Sequence, residues 1–209
     1  MSKIILMFIV LFTASFNFAQ NNYSIEFNYG LISPMTRSNG LQGSGKINYQ
    51  LNKDIKLYTG FGYGVWGAQK VHFKKRSDQL STLTAEDNHK LIPFYGGANF
   101  LLKGSNFLDL YAIAEIGFSY FSYRRYNYQE SVNPQTNEKE YFLSDKPTDN
   151  ISDYLFGVGI GLSGGHKISK NAELLLQIKL NTNYSFNSKN LFDKNITYTS
   201  LIFGFNFLI

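Results

Sequence analysis

The sequence predicts an all-β fold, an eight-stranded antiparallel up-and-down transmembrane β-barrel that follows a cleaved signal peptide. Three observations predict it. Side-chain character alternates with period two along nearly all of residues 20–209, and the connections between the alternating segments are short and long in turn. The more polar face of each segment is small and sparsely charged, while the opposite face is apolar. Alternation marks strands, and unequal connections mark a sheet with two dissimilar ends.

The leader comes first. Lys3 supplies a positive start, Ile4 to Phe12 is continuously apolar, and small or polar residues lead to Ala19-Gln20. That is the arrangement of an export signal over residues 1–19, cleaved after Ala19. Its apolar stretch is shorter than the ~20 residues a helical span requires, and no later run is long enough. If residues 20–209 belong to a membrane, they cross it as a closed sheet with every backbone group paired between strands.

The first segment sets Tyr23, Ile25, Phe27, Tyr29 and Leu31 against Ser24, Glu26, Asn28 and Gly30. The second sets Gly45, Ile47, Tyr49 and Leu51 against Ser44, Lys46, Asn48 and Gln50, and breaks at Asn52-Lys53-Asp54, where a hairpin turn fits. The third runs Ile55 to Trp66, with Tyr58, Gly60, Gly62 and Gly64 on its small face. The fourth, from Ile92 to Leu102, contains Pro93, which is awkward in a ladder and suggests a bulge or the upper rim. The fifth sets Leu108, Leu110, Ala112, Ala114, Ile116, Phe118 and Tyr120 against Asp109, Tyr111, Ile113, Glu115, Gly117 and Ser119. The sixth opposes Tyr154, Phe156, Val158, Ile160 and Leu162 to Leu155, Gly157, Gly159, Gly161 and Ser163. The last two carry Leu174 to Tyr184 and Leu201 to Ile209 on their apolar faces.

Short connections fall near Asn52–Asp54, Lys103–Asn106 and Lys167–Asn171, and long ones near Ile32–Gln42, Gln69–Asn88, Arg124–Asn150 and Ser185–Asn195. All long connections thus share one end of the sheet, as in membrane barrels with short periplasmic turns and long extracellular loops. A soluble up-and-down barrel competes on period alone. It would turn its polar face to water and cover it with charge, whereas here that face is rich in glycine. Such a face suits the crowded interior of a barrel only wide enough for side chains. Tyr23, Tyr63, Tyr120, Tyr154 and Tyr184, near strand ends of the apolar face, fit the aromatic girdles of a lipid-facing wall.

Composition narrows the function classes. Lys and Arg number 20 against 15 Asp and Glu, and the excess is spread along the chain, so no nucleic-acid footprint forms and no nucleic-acid partner is expected. The absence of Cys removes disulfides, thiolate metal sites and Cys nucleophiles. His72, His89 and His166 have no metal-ligand spacing and read as solvated or rim residues. A Ser/His/acid set can be assembled from His72, Ser77, Asp78, Ser81, Glu86, Asp87 and His89, but no pair shows a catalytic spacing. No catalytic residue, cofactor or metal is expected.

On the inward face Lys46, Glu115 and Lys179 fall at similar heights, with Glu26 a little lower. Charges in a narrow lumen require partners, so these four are expected to form a polar plug, with Tyr58, Trp66, Tyr95 and Tyr111 adding volume, the alternative being a gated polar path for ions or small solutes. Lys70, Lys74, Lys75 and Arg76 in the second long loop, with Arg124 and Arg125 opening the third, are candidates to contact lipopolysaccharide phosphates. Tyr123, Tyr126, Tyr128, Tyr141 and Phe142 suggest that the third loop extends the neighbouring strands above the membrane and offers a partner a strand edge or an aromatic tip.

With the leader ending in Phe18-Ala19-Gln20, eight alternating segments, and the terminal Gly204-Phe205-Asn206-Phe207-Leu208-Ile209, the chain resembles the small eight-stranded outer-membrane β-barrel family of Bacteroidota, often termed PorT-like. Its last segment is similar to the signal read by the barrel-assembly machinery, with Gly204, Phe207 and Ile209 in place. It departs at Ile202, where a polar residue is usual, and at Ile209, where an aromatic is usual. The resemblance implies an outer-membrane location and a partnership with outer-membrane lipid and the assembly machinery. The expected function is structural or surface-interacting. The alternatives are a component of a secretion or transport apparatus, with an extracellular or secretion-system protein partner, and a lipid A-modifying enzyme.

Overall fold

The computed structural model describes residues 22–35, 38–67, 84–105, 107–132, 134–135, 139–143, 146–186 and 195–209. Ten strands lie among them: β1 (Tyr23–Pro34), β2 (Gly40–Asn52), β3 (Ile55–Trp66), β4 (Thr84–Glu86), β5 (His89–Lys103), β6 (Leu108–Val132), β7 (Lys139–Leu143), β8 (Asp149–Ser169), β9 (Ala172–Ser185) and β10 (Asn195–Leu208). Eight of them form the barrel, all antiparallel, in the order β1-β2-β3-β5-β6-β8-β9-β10. β10 returns to β1, from Ser24 opposite Leu208 to Pro34 opposite Tyr198, and closure leaves the barrel wall without an edge.

Turn chemistry explains the short ends. Asn52 Oδ1 accepts the amides of Asp54 (2.9 Å) and Ile55 (3.0 Å), an Asx turn that reverses β2 into β3. Ser105 Oγ accepts the Leu108 amide at 2.9 Å and so starts β6.

The period-two faces separate as the sequence predicts. Phe27, Phe61, Phe94, Ile160 and Phe203 point outward and are exposed, Phe61 by 66%. Ser24, Glu26, Asn28, Lys46, Asn48, Gln177, Lys179, Asn181 and Asn206 point inward and are buried. Tyr23 meets Tyr49 at the short-turn end, with ring centroids 5.1 Å apart, and Tyr120 meets Tyr154 at the loop end at 5.5 Å. An apolar outer wall flanked by tyrosines, around a polar interior, is the arrangement of a barrel that spans lipid. Among the described residues no helix is long and apolar enough to cross a membrane.

The strands depart from the sequence reading mainly at the loop end. β3 has the bounds expected, and β6 runs on to Val132 and β8 begins at Asp149, the extension that the third loop suggested, but β1 continues to Pro34 and β5 begins at His89. β4 and β7 are additional short strands, both paired with β6. Pro93 produces neither a bulge nor a rim. Its register with β6 is continuous, and only the ladder to β3 lapses, opposite Gly62 and Tyr63. Proline has no N–H to give, so the ladder to β3 lapses there and resumes at Gly64 opposite Leu91 in the same register.

Candidate functional site: a partitioned barrel lumen

The inward faces bring the four predicted charges together as two separate pairs. Glu26 and Lys46 are direct partners across β1 and β2, with Lys46 Nζ 2.6 Å from Glu26 Oε1 and side chains 0% and 2% exposed. Gln177 of β9 locks the pair from beyond β10, since Lys46 Nζ donates to its Oε1 (3.1 Å) while its Nε2 donates to Glu26 Oε1 (2.8 Å). Asn28 Nδ2 donates to the same carboxylate oxygen at 2.8 Å.

Glu115 on β6 and Lys179 on β9 are not on neighbouring strands. Lys179 Nζ nevertheless donates to both carboxylate oxygens, at 2.9 and 3.0 Å, by reaching past β8. Gly159 and Gly161 of β8 make that reach possible. A Cβ at Gly159 would lie 2.6 Å from Glu115 Cγ, and one at Gly161 would lie 2.9 Å from Lys179 Cγ. Part of the glycine stripe is therefore space for two long side chains. Tyr58 joins the pairs, because its hydroxyl donates to Glu115 Oε2 (3.0 Å) and Lys46 Nζ lies 4.9 Å from its ring centroid.

Two further pairs stand nearer the short turns, Lys56 with Glu173 (3.5 Å) and Lys167 with Asp109 (3.0 Å). Asn206 Nδ2 donates to Glu173 Oε2 at 3.2 Å, and Asn48 Nδ2 donates to Asn206 Oδ1 at 3.3 Å. Among the described residues, each of these four inward carboxylates thus has a lysine. The sequence reading assigned Glu173, Lys56, Gln177 and Asn206 no role in the lumen. Their parity placed them inside, but only the closed register shows what they meet.

Above the charges the lumen becomes apolar. Ile32, Trp66, Leu91, Phe121, Leu155 and Tyr198 pack into one buried layer, and Trp66 stacks on Phe121 at 5.9 Å. Among the described residues three cavities follow one another along the axis and share no lining residue. One of about 400 Å³ opens among Lys53, Lys56, Asp109, Glu173 and Asn206 at the short-turn end. One of about 40 Å³ lies mid-barrel between Glu115, Lys179, Asn183 and Tyr198. One of about 540 Å³ opens at the loop end over Trp66, Phe121 and Leu155. The apolar layer separates the last two, and the Glu26–Lys46–Gln177 cluster lines neither of the first two.

The remaining sequence candidates divide. Lys70, Lys74, Lys75 and Arg76 lie outside the described residues, as do the 1–19 leader and His72, Ser77, Asp78 and Ser81 of the assembled Ser/His/acid set. Arg124 is exposed on the outward-facing parity of β6. Arg125 turns inward over the upper cavity, where its Nη2 donates to Tyr123 Oη at 3.1 Å and lies 3.7 Å from Glu86 Oε1. His89, read as a solvated or rim residue, opens β5 at the loop end but is buried. It is 0% exposed, 3.0 Å from Glu86 Oε2, and packed against Trp66, Phe121 and Tyr123. Two residues before Leu91 on the inward parity, it belongs to a layer that the sequence reading ended too early. No group of His and acid side chains able to hold a metal occurs among the described residues.

Gly204, Phe207 and Ile209 mark the closing strand. A Cβ at Gly204 would collide with the Asn28 amide, so glycine there makes room for the side chain that holds Glu26. Phe207 and Ile209 point outward and are exposed.

No protein-family model matches the chain, and no curated protein sequence matches it. Solved structures do. Neisserial surface protein A aligns over 91% of this chain and 98% of its own, with TM-score 0.52 and 14% identity. A major outer membrane protein from Thermus thermophilus aligns over 90% and 98%, with TM-score 0.55 and 11% identity. At such identities the likeness is one of fold, and the lipid-facing wall supplies what fold alone does not: the chain is an eight-stranded β-barrel of the outer-membrane kind, built to sit in the cell outer membrane.

Proposed function

We propose that the protein is a structural and surface-interaction barrel that conducts no solute. The observation that carries this reading is the partition of the lumen, with paired charges below and an apolar layer above. Eight strands leave an interior just wide enough for side chains to fill, and here those side chains neutralise one another or exclude water. Protein reconstituted in planar bilayers should be electrically silent, and reproducible single-channel steps would refute the reading.

The interaction surface is the loop end. From Tyr120 at the girdle to Val132, β6 adds twelve residues, which at ~3.4 Å per residue and a tilt near 40° rise about 30 Å above the lipid. β7 pairs with its tip. This hairpin supports a protein partner by strand addition, and a place in a secretion or transport apparatus is the specific form that reading takes. Arg124, at the outer surface, and the basic run Lys70, Lys74, Lys75 and Arg76 are proposed to meet lipopolysaccharide phosphates. Gly204, Phe207 and Ile209 are proposed to engage the assembly machinery. A catalytic role gains no support from His89, whose ring is sealed from any substrate. Co-purification after mild detergent extraction tests the partner. A barrel recovered alone, with and without the β6–β7 hairpin, would count against it.

A further inference from the structure

The cavity at the loop end has features that a merely filled barrel does not require. Its volume, about 540 Å³, is that of a small-molecule site. Its floor is Trp66, Phe121 and Leu155, and Tyr123 and Ile196 pack against that floor as half-buried walls. Polar side chains share the lining, among them Ser152, Ser185 and Thr197, and the two charged ones stand at different heights. Asp153 lies low, opposite Phe121 in the β6–β8 register, and accepts the Ser185 hydroxyl. Arg125 stands four residues higher on β6.

The cation has donors to spare. A guanidinium carries five N–H donors in a fork that fits a carboxylate. Arg125 spends one on Tyr123 Oη, lies 5.9 Å from the centroid of that ring and forms a long ion pair with Glu86 Oε1 at 3.7 Å, which leaves its buried Nε with no acceptor. Its side chain is one-third exposed, so a ligand from outside can reach it. The acid in the same pocket already accepts a hydroxyl, lower down.

We infer that this pocket binds a small amphiphile with an apolar ring and one carboxylate, the ring lying over Trp66 and Phe121 and the carboxylate taken by Arg125. The inference rests on the closed lumen proposed above, since the apolar layer is the pocket's floor. It adds a ligand where that reading supplies only a surface.

Trp66 is the only tryptophan in the chain, so the floor reports on its own occupancy. Protein in detergent and in lipid nanodiscs is titrated with three probes of like body, 3-phenylpropionate, 3-phenylpropanamide and phenethylamine, while tryptophan emission is followed. The carboxylate should produce a saturable change at a concentration at least tenfold below that of the amide or the amine. Arg125→Gln should raise its half-saturation about tenfold, to that of the amide, while heat-modifiable migration stays that of the wild type. Arg125→Lys, which keeps the charge and loses the fork, should fall between. Three results would overturn the inference: no saturable response, as when the chain's own segments fill the pocket; equal or tighter binding of the amine; or an Arg125→Gln variant that binds the carboxylate as before. Bilayer recordings on the same preparations test the closed lumen independently, so failure of either reading is seen apart from the other.

Discussion

Glu115 and Lys179 show what one residue can hold in place. Glu115→Ala would leave the Lys179 ammonium in the lumen with the Tyr95 ring at 5.0 Å but no carboxylate. Stranding a buried charge costs about 3–5 kcal/mol. Urea unfolding of vesicle-inserted protein should show that loss, and Glu115→Ala combined with Lys179→Met should recover most of it. The glycines offer a matched pair of tests. At Gly159 an added methyl overlaps Glu115, whereas at Gly164 it meets only Leu108 Cδ1 at 4.0 Å. Gly159→Ala should cost about 1–3 kcal/mol and Gly164→Ala under about 0.5, and equal effects would contradict the space argument. The four predicted charges were legible as inward residues by parity alone. Their pairing was not, because Glu115 finds its lysine across an intervening strand whose contribution is the lack of a side chain.

At the level of the strand, period two carried the reading wherever the two faces meet different media. Between lipid and lumen the contrast is strong, and β3 was bounded correctly from the sequence. Past the girdle β6 leaves the lipid, and the aromatics of the third loop marked its extension there, but neither its end at Val132 nor its pairing with β4 and β7 was legible. Ile32, Phe121 and Tyr198 were missed for a related reason. The inward face itself turns apolar there, which reads as a loss of alternation although the strand goes on. β10 has to present an outward apolar face to lipid while closing on Ile25 and Ala172 at Phe207. Phe207→Asp should leave the protein outside the membrane fraction and open to protease. Normal surface levels of that variant would contradict the lipid-facing assignment.

For the whole molecule, closure makes the strands interdependent, since each pairs on both sides and none can leave alone. Such a barrel should resist dodecyl sulfate when unheated and migrate differently after boiling. Recovery of native protein in the soluble periplasmic fraction would be incompatible with the outer wall described. The fold was legible at this scale from the unequal connections, which fixed the number of strands and which ends lie together. The partition of the lumen was not, because it depends on which inward side chains share a height once the first and last strands have joined.

That junction also fixes where the barrel's first strand starts and its last strand finishes. Ile209 donates its amide to the Tyr23 carbonyl at 3.0 Å, so residues far apart in sequence finish one strand spacing apart, about 5 Å. They do so only once β1 has found β10. Complementary fragments of a split reporter, one inserted ahead of Asn22 and the other appended after Ile209, would be brought together by the last step of folding. Their signal would time barrel closure in living cells separately from export and from arrival at the membrane.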